Sequence, residues 1–304
     1  AILFPVPSFG RFQLLTWAAF VHAPMFLLGW AAACFRQRRP VALACVGMAA
    51  SIVVVGIDAF FIEPRWLAVH HVGIQSPRLE HAVRVIVVAD IQTDNPGPYE
   101  RRVLRRVHSE EPDLILLAGD YVQQADQEKY REAAQELSRM MEEEGLDAPL
   151  GAYAVRGNVD WPGQWERIFA GLPVTAVDQS DTMDLGPLTL TTLSLRASSD
   201  TEVSVSSVEG FHVVMGHVPN FAKGDVEADL LIAGHTHGGQ VQLPVVGPVM
   251  TLSDVPRAWA SGVTEIAPGK TLIVSRGIGM ERGYAPRLRF LCRPQLVIVD
   301  LAPA

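Results

Sequence analysis

Twenty-four consecutive residues, Phe12 to Phe35, carry no formal charge; a second uncharged run of 18, Pro40 to Ile57, continues through Ala59-Phe60-Phe61-Ile62 past Asp58. About 20 apolar residues suffice to cross the hydrocarbon core of a bilayer as a helix. No other single-segment structure satisfies its own backbone there. Residues 1–63 are therefore expected to form a transmembrane helical hairpin, with helices over about 12–35 and 41–62. A signal peptide would be one segment followed by a small-residue cleavage site. Soluble helices of this length normally keep a polar stripe, and these do not.

The turn between the runs, Arg36-Gln37-Arg38-Arg39-Pro40, holds three positive charges. The positive-inside bias places that turn in the cytoplasm, and both hairpin ends with everything after residue 63 outside it. Asp58 is expected at the interface end of its helix, with Trp66 just beyond as an interfacial anchor. The chain starts at Ala1 rather than Met. Residues are expected upstream, with the apolar stretch 1–6 closing another element.

Charge divides along the same boundary. Residues 1–63 hold four Arg against Asp58 and Glu63, which leaves 21 of the 25 basic and 31 of the 33 acidic residues beyond, a net of −10. An acidic globular part is no nucleic-acid surface. Of three cysteines only Cys292 lies in it, so no disulfide framework exists there.

From Pro64 onward, strand and helix patterns alternate. "RWLAVHHVGIQ" and "VRVIVVAD" read as strands, "ERRVLRRVHSE" and "QEKYREAAQELSRMMEEEG" as amphipathic helices, the latter closed by Gly145. "DLILLAGD", "GAYAVRGN", "LTLTTLSL", "FHVVMGH" and "ADLLIAGH" are further strands, "WPGQWERIFAG" a short helix capped by Asp160, and the last third is strand and turn. Residues 64–304 thus form one α/β domain.

Five of these strands end alike, on a polar, metal-capable residue beside glycine or at a turn. They end on Asp90 with Gln92, Gly119-Asp120, Gly157-Asn158, Gly216-His217, and "GHTHGGQ" with His235 and His237. In open α/β sheets the carboxyl ends of strands are where ligands bind. Carboxylate, amide oxygen and imidazole together suit Mn²⁺, Fe²⁺ or Zn²⁺ more than Ca²⁺. Each signal alone is commonplace; the five in this order are not.

With these motifs the sequence resembles the calcineurin-like metallophosphoesterase family, whose pattern is D-x-H, GD, GN-H-[DE], GH and GHTH. It resembles above all the membrane-anchored bacterial branch, in which GHTHGGQ is followed by segments like "VPRAWASG" and "VSRGIGMERGYAPRLRFLCRPQ". The resemblance covers residues 64 to about 303. It implies a four-layer α/β sandwich, two mixed β-sheets flanked by helices, behind a multi-pass anchor in a bacterial inner membrane. It also implies two divalent metal ions: Asp90, Gln92, Asp120 and His237 for the first, and Asp120, Asn158, His217 and His235 for the second. Such a pair clamps a phosphoryl group and acidifies a bound water, so that hydroxide attacks in line. Asp120, Asn158, Asp160 and His217 are then the catalytic candidates, and Arg282, Arg287 and Arg289 are candidates for holding substrate phosphate.

The sequence departs from the family pattern twice. Gln92 stands in place of the D-x-H histidine; its carbonyl oxygen is a neutral, hard and weaker donor that shifts the first site toward Mn²⁺ or Mg²⁺ with looser binding, the alternative being that Gln92 only supports the site or stands by it. Val159 stands in place of the histidine that assists the leaving group and can transfer no proton, leaving Asp160 as the nearest acid, although the resemblance makes its counterpart more an orienting residue. Substrates whose leaving group needs no proton are expected, such as pyrophosphates or aryl esters.

The function expected is that of a phosphoric ester hydrolase acting on a phosphodiester or pyrophosphate, with a lipid-linked or envelope substrate suggested by the anchor. Some relatives with this motif set hydrolyse UDP-diacylglucosamine on the cytoplasmic side, against the topology read from charge. The rival is a catalytically degenerate membrane sensor or scaffold, with Gln92 and Val159 as marks of decay. Trp161 and Trp165 are expected in packing, and His70 and His71, on opposite faces of a strand, as structural. Oligomeric state is not legible.

Overall fold

The computed structural model describes residues 8–304; the expectation for residues 1–6 lies outside the described residues. Two long helical runs, Phe9–Cys34 and Arg39–Arg65, form an antiparallel hairpin. The first comprises α1 (Ser8–Trp17), a wide π-helical turn (Ala18–His22) and α2 (Ala23–Cys34); the second comprises α3 (Arg39–Ile57) and a matching wide turn (Asp58–Ile62). Each wide turn closes on the residue before a proline, Pro24 or Pro64, through an N–H five residues ahead of its carbonyl. Proline has no N–H to give, and the preceding turn widens to compensate.

Small residues line the seam between the helices. Ala31, Ala42, Ala49 and Ala59 are buried, and a Cβ on Gly56 would come within 3.0 Å of the Phe20 ring. Phe20 meets Phe60 edge to face at 5.5 Å. Most large apolar side chains of the hairpin point outward, among them Met25, Phe26, Leu43, Val54 and Phe61. The interior of a soluble protein would cover them.

Twelve strands build two six-stranded mixed sheets. The first contains β1 (Ala68–Ser76), β2 (Val83–Val88), β3 (Leu114–Leu117), β4 (Ala152–Val155), β5 (Val174–Val177) and the C-terminal β12 (Gln295–Pro303), in the order β1-β12-β2-β3-β4-β5. Within it β2 to β5 are mutually parallel, and β12 runs parallel to β1 but antiparallel to β2. The second contains β6 (Asp181–Asp184), β7 (Thr189–Thr192), β8 (His212–Met215), β9 (Leu230–Ala233), β10 (Gly262–Ala267) and β11 (Lys270–Val274), in the order β10-β11-β9-β8-β7-β6. Its central four strands are parallel and its two edges antiparallel.

Period-two alternation explains the stacking. Val85, Val87, Leu114, Leu116, Val213, Met215, Leu230 and Ile232 form the core between the sheets, while Ile86, Val88, Ile115 and Leu117 face α4 (Pro98–Ser109) and α5 (Gln127–Glu144). The α5 helix starts on Asp126, whose carboxylate accepts from Glu128 and Lys129 N–H, and stops on Gly145 in the left-handed region at φ 69°. Val214, Leu231 and Ala233 form the third core on the far side of the second sheet, against Leu193, Phe221 and Val226.

That outer layer is thinner than a layer of long helices: it holds the short α6 (Leu195–Ser199), 3₁₀ turns at Pro219–Lys223 and Arg257–Trp259, a two-residue parallel ladder of Ser204–Val205 with Asp225–Val226, and loops. The helix expected from Trp161 is likewise shorter, a 3₁₀ turn at Trp165–Phe169, and Asp160 does not cap it. Trp165 is fully buried and stacks on Tyr121; half-buried Trp161 stacks on Tyr130. His70 contacts Arg276 and His71 contacts Asp300, both away from the strand-end cluster.

No free linker joins the hairpin to the sheets. Glu63 is buried, and its carboxylate accepts the backbone N–H of Leu291 and of Cys292, while Arg289 N–H donates to the Ala59 carbonyl. Exposed Trp66 lies beneath the Arg293 guanidinium, 4.0 Å from it.

Candidate metal centre

The carboxyl ends of β2, β3 and β4 in one sheet and of β8 and β9 in the other meet at one edge of the sandwich. Asp90 and Gln92 follow β2, Asp120 follows β3, Asn158 follows β4, His217 follows β8, and His235 and His237 follow β9. The backbone pays for this convergence: Asp90, Gln92, Asp120, His235 and His237 all have φ between 35° and 70°. Side-chained residues persist in that region only where the surroundings over-determine them, and such strain gathers at functional sites. Glycines supply the room. A Cβ on Gly157 would fall 2.1 Å from Asp120 Oδ1, and one on Gly119 (φ 88°) 2.6 Å from His217 Nδ1.

Two groups of donor atoms form, and both include Asp120. Asp90, Asp120 and His237 bring donor atoms within 4.8 Å of one another, and Asp120, His217 and His235 do the same. Asn158 Oδ1 joins the second group, 3.0 Å from His217 Nε2 and 2.7 Å from His235 Nδ1.

The remaining hydrogen bonds decide what these atoms can bind. His217 Nδ1 lies 2.8 Å from the Ala118 carbonyl and His235 Nε2 lies 2.9 Å from the Leu252 carbonyl, so each ring places its proton there. His235 Nδ1 is then a bare lone pair aimed at the Asn158 amide oxygen. His217 Nε2, 3.0 Å from the same oxygen and 3.4 Å from Asp120 Oδ2, holds a proton among these acceptors in the metal-free chain, at the place a cation would take. In the first group Asp90 Oδ2, Gln92 Oε1 and both nitrogens of His237 are buried without a partner. Buried acceptors left unpaired cost about 1–3 kcal/mol each, and a bound cation removes that cost. The donor set fits two divalent ions sharing Asp120.

Charge follows the same geometry. Burial, opposed by His217, pushes the Asp90 carboxyl up to about 7. Burial acts upward on Asp120 too, yet the adjacent His217 imidazole holds that carboxyl below its usual range. Burial opposes a charge on His217, but Asp120 and then Asp90 outweigh it and raise the imidazole to about 9. Burial and His217 push His235 down to about 4, and burial with Arg289 holds His237 well below the usual imidazole range.

Gln92 is held from behind. Its Nε2 donates to Gln123 Oε1 at 3.0 Å and to Glu281 Oε2 at 3.2 Å. The Gln123 amide is itself fixed, since its Nε2 donates to Glu281 Oε1 at 2.7 Å and its Oε1 accepts from Arg282 N–H at 2.6 Å. Sequence reasoning missed Gln123 and Glu281. Only the "SRGIGMERG" segment signalled the latter's neighbourhood.

Several expected roles change. Asp160 is not free to protonate a leaving group: Oδ2 accepts from Asp120 and Gly157 N–H, and Oδ1 from Tyr121 N–H. It instead fixes the turn that carries Asp120. Arg289 cannot hold substrate phosphate, because it is fully buried and donates to the carbonyls of Arg276, Gly277, Gly279 and Cys292. The guanidinium gathers the carbonyls of this glycine-rich run, of which that of Gly277 also accepts from Gln295 N–H. Arg282 bonds the Gln92 carbonyl at 2.9 Å, and exposed Arg287 pairs with Asp94. The half-buried Val159 offers the site only its N–H, donated to Asp120 Oδ1 at 2.9 Å.

Known proteins resemble this chain. The family model for calcineurin-like phosphoesterases matches residues 83–239, just over half of the chain. The uncharacterized metallophosphoesterase YkuE of Bacillus subtilis is 27% identical over 264 residues, covering 80% of this chain and 88% of that protein. The phosphodiesterase YaeI of Escherichia coli is 28% identical, covering 63% and 71%. The UDP-2,3-diacylglucosamine pyrophosphatase LpxG of Chlamydia muridarum is 23% identical, covering 82% and 94%. Strand-end donors, two mixed sheets and the family match lead to one conclusion: this chain belongs to the calcineurin-like phosphoesterase family.

Proposed function

We propose that the chain is a membrane-anchored phosphoesterase cleaving a phosphodiester or pyrophosphate bond, with residues 1–63 as anchor and 64–304 as catalytic domain. The observation that carries this reading is the set of buried, unpartnered acceptors at the strand ends. Asp90, Gln92, Asp120 and His237 would hold one divalent ion, and Asp120, Asn158, His217 and His235 the other. The ions, when bound, supply Lewis acidity and an acidified water for phosphoryl transfer. Mn²⁺ suits the mixed donors best, with Fe²⁺, Zn²⁺ and Mg²⁺ as alternatives.

The chain's own residues do the positioning. Ala118 and Leu252 carbonyls orient the His217 and His235 rings. Asp160 fixes the backbone of Asp120, and Glu281 with Gln123 fixes Gln92. Exposed Asn158 stands at the mouth, where substrate arrives. With Val159 beside it and Asp160 occupied, the leaving group departs without a proton from either, which favours pyrophosphates and aryl esters.

Outward-facing apolar side chains along both helices support the anchor. The Arg36–Arg39 turn, at the end of the hairpin remote from the sheets, supports a catalytic domain outside the cytoplasm. The LpxG similarity supports a lipid-linked substrate.

The test is turnover by the purified full chain with Mn²⁺. Bis-p-nitrophenyl phosphate is expected to react at least ~10²-fold faster than a dialkyl phosphate, beyond the difference in uncatalysed rates, because general acid help typically contributes 10²–10⁴-fold. Equal selectivity after that correction would contradict the leaving-group reading. No turnover of any ester would favour the degenerate sensor.

A further inference from the structure

One cavity connects the candidate metal centre to the first apolar helix. It measures about 210 Å³; its inner end is formed by Thr236 and His237, one wall by Phe9 and Phe12 of α1, and the facing wall by Met250 and Leu252. Glu281 and Gln240 reach it near the inner end, and apolar side chains from residues 285–288 complete it. The facing wall is the segment that leaves a small hairpin, whose strands are Gln242–Leu243 and Gly247–Pro248, with Val241 and Val249 flanking it on the cavity. From Val241 to Leu252 that segment, VQLPVVGPVMTL, carries no charge. Its tip is bare: Val245 is fully exposed, Leu243 and Val246 beside it are about half exposed, and so are Val249 and Leu252 further along.

An uncharged, apolar hairpin tip open to water is costly, and contiguous patches of that kind mark a contact surface. This one stands beside α1, whose own Leu14, Leu15 and Trp17 face outward. The helix that would enter hydrocarbon and the hairpin tip therefore share one apolar neighbourhood, and the cavity opens between them. Engineered apolar cavities of about 150 Å³ already take benzene, so this space accepts a hydrocarbon segment. A ligand with a chain lying there would place its polar end at His237.

Resting on the phosphoesterase reading above, we propose that this groove binds an alkyl chain of an amphiphilic phosphoester drawn sideways from the bilayer, with the 241–252 hairpin dipping into the membrane surface. The substrate class is then a lipid phosphodiester or pyrophosphate, one chain held between α1 and the hairpin while its phosphoryl group reaches the strand-end donors. Each methylene buried tightens binding by about fourfold. Chain length should therefore be read in affinity.

The experiment uses the full chain in nanodiscs and a dodecyl phosphate bearing a terminal diazirine. On irradiation, labelling is expected in the peptides holding residues 9–16 and 249–252, suppressed by excess dodecyl phosphate and not by methyl phosphate. Labelling spread over the outward faces of both helices, with none at 249–252, would overturn the proposal. Hydrolysis separates it from the phosphoesterase reading. Dodecyl p-nitrophenyl phosphate is expected to show a KM at least tenfold below that of the methyl ester, and Met250→Trp, which fills the groove, should lower the dodecyl-to-methyl ratio of kcat/KM. Equal KM values for the two esters would overturn the groove while leaving the phosphoesterase intact. Failure to hydrolyse either would overturn the phosphoesterase, and the labelling pattern would still decide the groove.

Discussion

The Glu281 carboxylate lies 3.2 Å from Gln92 Nε2, and that contact decides which end of Gln92 is free. A carboxylate only accepts, and Gln123 Oε1 already accepts from Arg282 N–H, so the amide nitrogen of Gln92 must face both. The carbonyl oxygen is left buried and unpartnered. Residues that orient a ligand typically shift metal affinity 10–100-fold. Glu281→Gln is expected to weaken the tighter-defined first site by that order in calorimetric Mn²⁺ titration and to leave the second ion's affinity nearly unchanged. An unaltered isotherm would mean that Gln92 does not coordinate.

Asp160→Asn tests a positioning role against an acid role. The amide keeps the size but replaces one acceptor by a donor facing backbone N–H groups, which should cost about 1–3 kcal/mol. Chemical denaturation is expected to show that loss, and the acid–base shape of the kcat profile should persist with a lower plateau. Disappearance of the alkaline limb alone, at full stability, would restore Asp160 as the acid.

Metal binding should release protons. In the metal-free chain His217 is raised to about 9 and Asp90 to about 7, so at pH 6 both carry protons where ions would bind. For His217 the sign is clear. A folded pKa above the unfolded value near 6.5 adds stability fully present below 6.5 and lost as pH rises through about 9. The Tm of metal-free protein is expected to fall between pH 7 and 9 while the Tm increment caused by Mn²⁺ grows. A Mn²⁺ increment independent of pH over that range would contradict this account.

Much of this architecture is legible in the chain itself, for physical reasons. Alternation places Val85 and Val87 on one face and Ile86 and Val88 on the other, and the polar ends of β2, β3, β4, β8 and β9 announce the cluster. What escapes is whatever depends on distant partners. Gln123 and Glu281 meet Gln92 only in three dimensions; 158 residues separate the first two. Arg289 reads as a surface cation because no local pattern reveals the carbonyls of 276–279 that surround it. The outer layer beyond the second sheet is thin because loops and Phe221, rather than long helices, cover Val214 and Leu231.

The proposed topology rests on the Arg36–Arg39 turn. With Cys34 and Cys45 changed to Ser, a Gln37→Cys reporter is expected to react with a membrane-impermeant maleimide only in inverted vesicles, and a reporter at Ala304 only in intact spheroplasts. The reverse pattern would place the catalytic domain in the cytoplasm.

The central claim is that one carboxylate, Asp120, is shared by two ions. Electron paramagnetic resonance of the Mn²⁺-loaded full chain, alongside its metal content, tests it directly. Two ions per chain with an exchange-coupled signal are expected, as for ions about 3.5–4 Å apart, and Asp120→Ala should abolish the coupling. A single Mn²⁺ per chain, or two uncoupled ones unaffected by Asp120→Ala, would contradict it.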